Sequence, residues 1–223
     1  MAKVDDIIRE SRIALDMNYK SSGQLLDLGE PDTLMIEDIL RSKVEDAARL
    51  VEQEADATLL GDGIPFGSSI EWESAAGYGK GTIYLPDNFL RLVVFMMSDW
   101  SRAVTEAITP THPLYAMQGS RFQGVRGNPE KPVVAIVPTA TGKALEFYSC
   151  SGGAGTHVRQ ASYIPVPEIH SGADGDEIAV CPKLIKAVIY RVASLAAQTL
   201  GRTDTAAVLL STSNELAGIV ISQ

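Results

Sequence analysis

Gly77-Tyr78-Gly79-Lys80-Gly81-Thr82 has the composition of a phosphate-binding loop. Such a loop needs four residues between its first glycine and a Gly-Lys pair, then a Ser or Thr directly after the lysine. Here Gly81 follows Lys80, so the pattern fails, and a turn-rich lead into a strand at Thr82 fits better. The ATGKA stretch at 140–144 fails in the same way and reads as a hairpin turn. SGGAG at 151–155 joins two predicted strands and so lacks the helix N-terminus that holds an anion; it reads as a loop. His112, His157 and His170 are widely spaced, and none pairs with another His or a Cys at metal-ligand spacing. No G-x-S-x-G elbow is present to expose a serine nucleophile. The seven-residue gap between Cys150 and His157 across the Gly-rich loop allows a contact between them. A cysteine packed at a strand end explains Cys150 without invoking a thiol nucleophile. ADGDE at 173–177 lacks calcium-loop spacing and reads as an acidic turn. No cofactor, metal site or catalytic residue is therefore expected, and the chain reads as a non-enzyme. An enzyme of another kind would require a perturbed carboxylate or His in a cleft, and the sequence nominates no such pair.

The bulk composition narrows the classes further. With 223 residues and 45% hydrophobic content, the chain can bury a sizeable core. Its net charge of -9 has the wrong sign for a general nucleic-acid binder, which neutralises phosphates with clustered Lys and Arg. An acidic surface suits solvation, or a wall that must not hold DNA passing close by. Cys150 and Cys181 are too few for a disulfide framework, although a single bridge is possible. The N-terminal MAKVDDIIRESRIALD has no apolar core of a signal peptide, and no apolar run is long enough to predict a transmembrane helix.

The elements that must position any site follow from the apolar spacing. Val4–Leu15 reads as a short amphipathic helix, followed by a polar connector at 16–32. A second helix is predicted from Thr33 to Ala55, with Ile36, Ile39, Leu40, Val44, Ala47, Ala48 and Val51 as its stripe. Asp32 or Thr33 can cap its start. From 56 to 170 Gly and Pro punctuate short apolar runs that read as strands: 83–85, 92–97, 133–137, 144–148 and 163–166. VVAIV and ALEFY, joined by PTATGK, predict a hairpin in which Gly142 supplies a positive φ. HPLYAMQ at 112–118 reads as a short helix. Within LPDNFLRLVVFMMSDW, residues 85–90 read as a turn or short helix and 91–100 as a strand covered on both faces. A helix begins at Cys181-Pro182 and stops at Gly201, and a last one spans Thr203 to Val220. Helices, then strands, then helices predict an α+β fold. The N- and C-terminal helices (1–60 and 178–223) form a bundle, with an antiparallel β domain (61–177) inserted between them.

YLPDNFLRLVVFMMSDW, YIPVPEI and CPKLIKAVIYRVASLAAQTLG together resemble the head-to-tail connector, or adaptor ring, proteins of tailed bacteriophages. The tail tubular protein A group is one branch, and the likeness is nearest to connector rings of crAss-like phages. It covers roughly residues 80–220 and includes the late-helix pattern Tyr190-Arg191-Val192-Ala193-Ser194-Leu195-Ala196. The resemblance implies a helix bundle with an inserted β domain. It also implies a homo-oligomeric ring, commonly a dodecamer, in the virion neck, assembled in the host cytoplasm. Its implied partners are the portal protein, a downstream tail tube or nozzle protein, and double-stranded DNA crossing the lumen without specific binding. No membrane partner is implied. Arg121 and Arg126, in the polar loop SRFQGVRGNPEK, are the candidates for a contact between protomers, against the plainer reading of a solvated connection. The competing expectation is a small-molecule or glycan-binding module of a bacterial host, with Trp72 and Trp100 as pocket walls.

Overall fold

The computed structural model describes residues 1–17, 36–67, 69–75, 78–122, 124–140, 142–150, 156–173 and 175–219. The predicted caps Asp32 and Thr33, the connector from residue 18 onward and the 151–155 loop lie outside the described residues. The fold is α+β, with antiparallel sheets and helices drawn from both ends of the sequence. It divides into two compact units, a helical unit of 1–61 with 166–223 and a β unit of 62–165.

In the helical unit, α1 (Val4–Met17), α2 (Ile36–Glu54), α4 (Ile185–Thr199) and α5 (Thr203–Leu216) share one core. Helix α4 packs against all three of the others. Its sequence explains why: Ala187, Ala193, Ser194, Ala196 and Ala197 are all buried and short, so neighbouring backbones can come close. Three buried serines cross these seams. Ser11 of α1 donates to the Ile189 carbonyl (3.0 Å), Ser194 to the Ala206 carbonyl (2.8 Å) and Ser213 to the Ala187 carbonyl (2.8 Å). A buried hydroxyl is costly unless paired, so each bond also fixes which faces meet. Helices α1 and α2 run antiparallel, because Arg41 meets Asp5 (2.7 Å) while Arg12 meets Glu37 (2.8 Å).

The ends of the late helices are set by glycines in the left-handed region. At Gly201 (φ 73°), Arg202 N–H closes onto the Ala197 carbonyl (2.8 Å). At Gly218 (φ 68°), Ile219 N–H closes onto the Asn214 carbonyl (2.9 Å). Helix α5 therefore ends at Leu216, short of the predicted Val220. Helix α1 runs two residues beyond the predicted Leu15. The expected start at Pro182 is a 3-10 turn, Pro182–Leu184, leading directly into α4.

The predicted domain boundary at 177/178 moves to 165/166. Residues 166–177 hold β9 (Ile169–Gly172) and most of β10 (Gly175–Ile178), whose hairpin pairs with β1 (Ala2–Lys3) in the order β1-β10-β9. Ile178 is buried in the helical core, and Arg41 of α2 pairs with Asp176 of β10. These contacts make the hairpin part of the helical unit. Of the predicted acidic turn at 173–177, Gly175–Glu177 are the first residues of β10, and Asp174 lies outside the described residues.

The β unit holds two sheets. One has the order β2-β8-β5, from Ile64–Pro65, Val158–Pro165 and Phe89–Met97. The other has the order β3-β4-β7-β6, from Glu71–Ala75, Tyr78–Tyr84, Gly142–Cys150 and Val134–Thr139. The predicted hairpin is β6–β7, and Gly142 takes φ 138° at its turn. Strand β5 begins at Phe89, so Phe89 and Leu90 are strand rather than turn or helix, and it ends before Ser98. Its buried residues are Phe89, Leu92, Phe95 and Met97. Register shifts at 89/91, 92/94 and 96/97 break strict alternation, so an unbroken apolar run serves a bulged strand. The core centres on Phe147, whose ring lies 5.2 Å from Phe95, 5.7 Å from Trp72 and 6.2 Å from Trp100. A side chain at Gly81 would run into the Phe147 ring, which explains that glycine by packing rather than by phosphate binding.

Candidate interaction surface

Between the turn that His112 N–H closes onto the Thr109 carbonyl (2.9 Å) and strand β6 the β unit carries a strapped segment. It opens with α3 (Pro113–Met117), the short helix expected there. His112 Nδ1 caps it by accepting Leu114 N–H (3.2 Å), and Pro113 suits a first helical position. Gln118, only 1% exposed, ties the segment's two ends together. Its Nε2 donates to the Leu114 carbonyl (2.9 Å) and its Oε1 accepts Gly127 N–H (2.9 Å). Gly127 sits so tightly against Ser149 and Val133 that a Cβ would collide. Arg126 turns inward, 8% exposed, and its Nη1 donates to the Tyr148 carbonyl (3.1 Å).

A second anchor is the carboxylate of Glu146 on β7. It accepts Tyr148 OH (2.5 Å) and Tyr115 OH (3.1 Å) and pairs with Lys80 Nζ (2.9 Å). Burial would push the Glu146 carboxyl up, but the bonds from Tyr148 and Lys80, the Lys80 charge and Tyr115 outweigh it and hold the carboxyl below its ordinary value. Burial would likewise lower the Lys80 ammonium, yet Glu146 and Glu73 overcome this and hold it above its ordinary value. Burial first, then the bond to Glu146, drives the Tyr148 hydroxyl far upward. Lys80 is thus no neutral amine and Tyr148 no phenolate, so the cluster is poorly suited to general-base or nucleophilic chemistry. It locks α3 to the sheet.

These polar anchors hold a segment whose apolar side chains face outward. Leu114, Met117, Phe122 and Val125 are all exposed, Phe122 at 67%. No Asp or Glu occurs from 107 to 129, while Arg121 is exposed beside Phe122. The surroundings sharpen the contrast. The helical unit holds 11 Lys and Arg against 20 Asp and Glu, whereas the β unit holds 8 of each, so the whole net charge of -9 belongs to the helical unit.

Of the two arginines expected at a protomer contact, Arg121 is exposed. Arg126 is buried, and its Nη1 bond to the Tyr148 carbonyl holds the segment within its own chain. Sequence reasoning missed the four apolar residues that make the surface. Trp72 and Trp100 pack edge-on to Phe147, and Trp100 Nε1 donates to the Ser149 carbonyl (3.0 Å), so both serve the core. Neither Cys150 nor Cys181 forms a disulfide. Among the described residues, no three His, Cys, Asp or Glu side chains are grouped to hold a metal ion, and no helix is long and apolar enough to cross a membrane.

A groove of about 390 Å³ between α1 and α2 is lined by three arginines and three carboxylates over Ile8. Arg9, Arg12 and Arg41 each already pair with an acid, so the groove has no unmatched cation to attract an anion. Glu52, 3% exposed near the end of α2, accepts Cys181 N–H (3.0 Å) where the chain enters α4. Burial pushes its carboxyl up to about 7, the Cys181 bond opposing only in part.

No family model matches the chain, and no curated protein matches it.

Proposed function

We propose that this chain is a structural subunit of a phage-neck adaptor ring, joining a portal to the tail and forming part of the DNA channel. The observation that carries the reading is the discontinuous helical unit. Helices from both ends of the sequence close around α4, and a separate β unit is inserted between α2 and α4. This is the architecture implied by the resemblance of the 84–100, 163–169 and 181–201 stretches to connector proteins. The confinement of net negative charge to the helical unit also supports it. A wall that repels phosphate lets duplex DNA pass, since each phosphate neutralised adds affinity that would slow it. The buried cluster around Glu146 serves structure, in keeping with a part that does no catalysis.

The test is the mass of the full chain in solution, alone and with the portal ring. Assembly into one discrete closed oligomer, alone or on the portal, is the expected result. A monomer that ignores the portal and binds a glycan instead would refute the reading. In the assembled ring, a channel lined by Lys and Arg would refute the proposed role of the acidic surface.

A further inference from the structure

The strapped segment has the construction of a knob. Loops are ordinarily held down by their apolar side chains and show polar ones to water. Here the polar side chains Gln118 and Arg126 are buried as anchors, and Leu114, Met117, Phe122 and Val125 are left in solvent. Burying a guanidinium is costly, and the bonds that Arg126 and Gln118 make also order the segment in advance. An ordered apolar patch with a cation at its rim fits a partner face that is apolar at its centre and acidic around it.

The chain carries such a face on its own helical unit. The outer side of α5 exposes Val208 (58%) and Leu216, with the small exposed residues Ala207 and Ser211 beside them. Asp204 and Glu215 flank it, both exposed. We infer that the Phe122 knob of one copy docks on the outer face of α5 of a second copy, with Arg121 facing the acidic rim. The contact is heterologous, because the two surfaces differ and come from different units, so it propagates from copy to copy until rotation closes a ring. The inference rests on the ring reading in that it names the contact such a ring would use.

The test uses the full chain and mass photometry or sedimentation across concentration, with Phe122→Asp and Val208→Asp. Both positions are exposed, so unchanged thermal melting is expected; Phe122→Ser and Val208→Ser replace them if either fails to fold. Wild type should self-associate, and each variant should need at least about tenfold higher concentration to do so. An equimolar mixture of the two variants should form a one-to-one dimer, since the intact α5 face of one can still receive the intact knob of the other. If wild type assembles only on the portal, the same loss by each variant is expected there. Variants that assemble like wild type would overturn this contact while leaving the ring reading intact. A mixture that stays monomeric would overturn the pairing of these two faces. Wild type that remains monomeric with and without portal would overturn both readings. Binding of wild type, but not Phe122→Asp, to anionic phospholipid vesicles would assign the knob to a membrane and overturn the inference.

Discussion

The two units of this protein are held together by opposite means. The helical unit has a fully buried core of Val, Ile, Leu and Ala, with serine hydroxyls pinning one helix to the carbonyls of the next. The β unit is built around aromatic rings, with Phe66, Phe89, Phe95, Trp100 and Phe147 in mutual contact or one step removed. Close seams demand small residues and tolerate little added volume; ring clusters supply much buried area from few residues and suffer most when one is removed. Their buried carboxylates differ as well. Glu52 is under-compensated, while Glu146 is over-compensated by three donors.

The largest expected effect tests the aromatic side. Phe147→Ala should destabilise the β unit by about 3–5 kcal/mol, because a fully buried ring with three aromatic neighbours is lost. Urea denaturation followed by Trp fluorescence reads this directly, since Trp72 and Trp100 both face the deleted ring. A change below about 1 kcal/mol would mean that the cluster is not the unit's core.

Glu52 gives the next effect, and its sign is opposite to that of a paired carboxylate. Its carboxyl is raised from 4.5 to about 7, so between these values the folded state holds a proton that the unfolded state has released. Stability of the helical unit therefore falls as pH rises from about 4.5 to about 7. Glu52→Gln should remove that loss and be more stable than wild type above pH 7 by up to about 3 kcal/mol, with the gap closing toward acid. Equal stabilities across the pH range would contradict the assignment. Glu146 works the other way. Its carboxyl is held low, so its contribution is present above the ordinary carboxylate range and is lost as pH falls through its lowered value.

Added volume should separate the units again. Ala193→Leu inserts a branched chain into the fully buried seam of α4 and should cost about 1–3 kcal/mol by circular dichroism melting. The smallest effect belongs to the serine pins. Ser194→Ala should cost about 1 kcal/mol, since the Ala206 carbonyl loses one donor. If Ser194→Ala cost more than Ala193→Leu, the seams would be held by hydrogen bonds rather than by fit.

How much was legible in the sequence follows the same division. Helices α1, α2 and α4 are readable from their stripes, because a helix buries residues by local spacing: Leu40, Val44, Ala48 and Val51 are all buried as expected. Glu52 continues the series 40, 44, 48, and that placement on the apolar stripe was the available sign that it would be buried. The spacing puts residues 166–177 in the β domain and predicts no hairpin there, because the partner strand β1 is two residues long, too short to carry any alternation. Strand β5 was misjudged at its start because bulges, which depend on the partner β8, set its burial pattern. Arg126 was read as a surface residue because its neighbours are polar, while the carbonyl it binds lies 22 residues further along the chain. The outward-facing knob was not legible as exposed: Leu114, Met117, Phe122 and Val125 fall at i, i+3, i+8 and i+11, a spacing that reads as a buried helical stripe, yet only Leu114 and Met117 lie in a helix.

The proposed ring role is open to a single direct test, electron microscopy of the purified protein, alone and bound to the portal. The expected images are of rotationally symmetric particles with an open channel in which Asp and Glu outnumber Lys and Arg along the wall. Particles without rotational symmetry under both conditions, or a channel walled by Lys and Arg, would contradict that role.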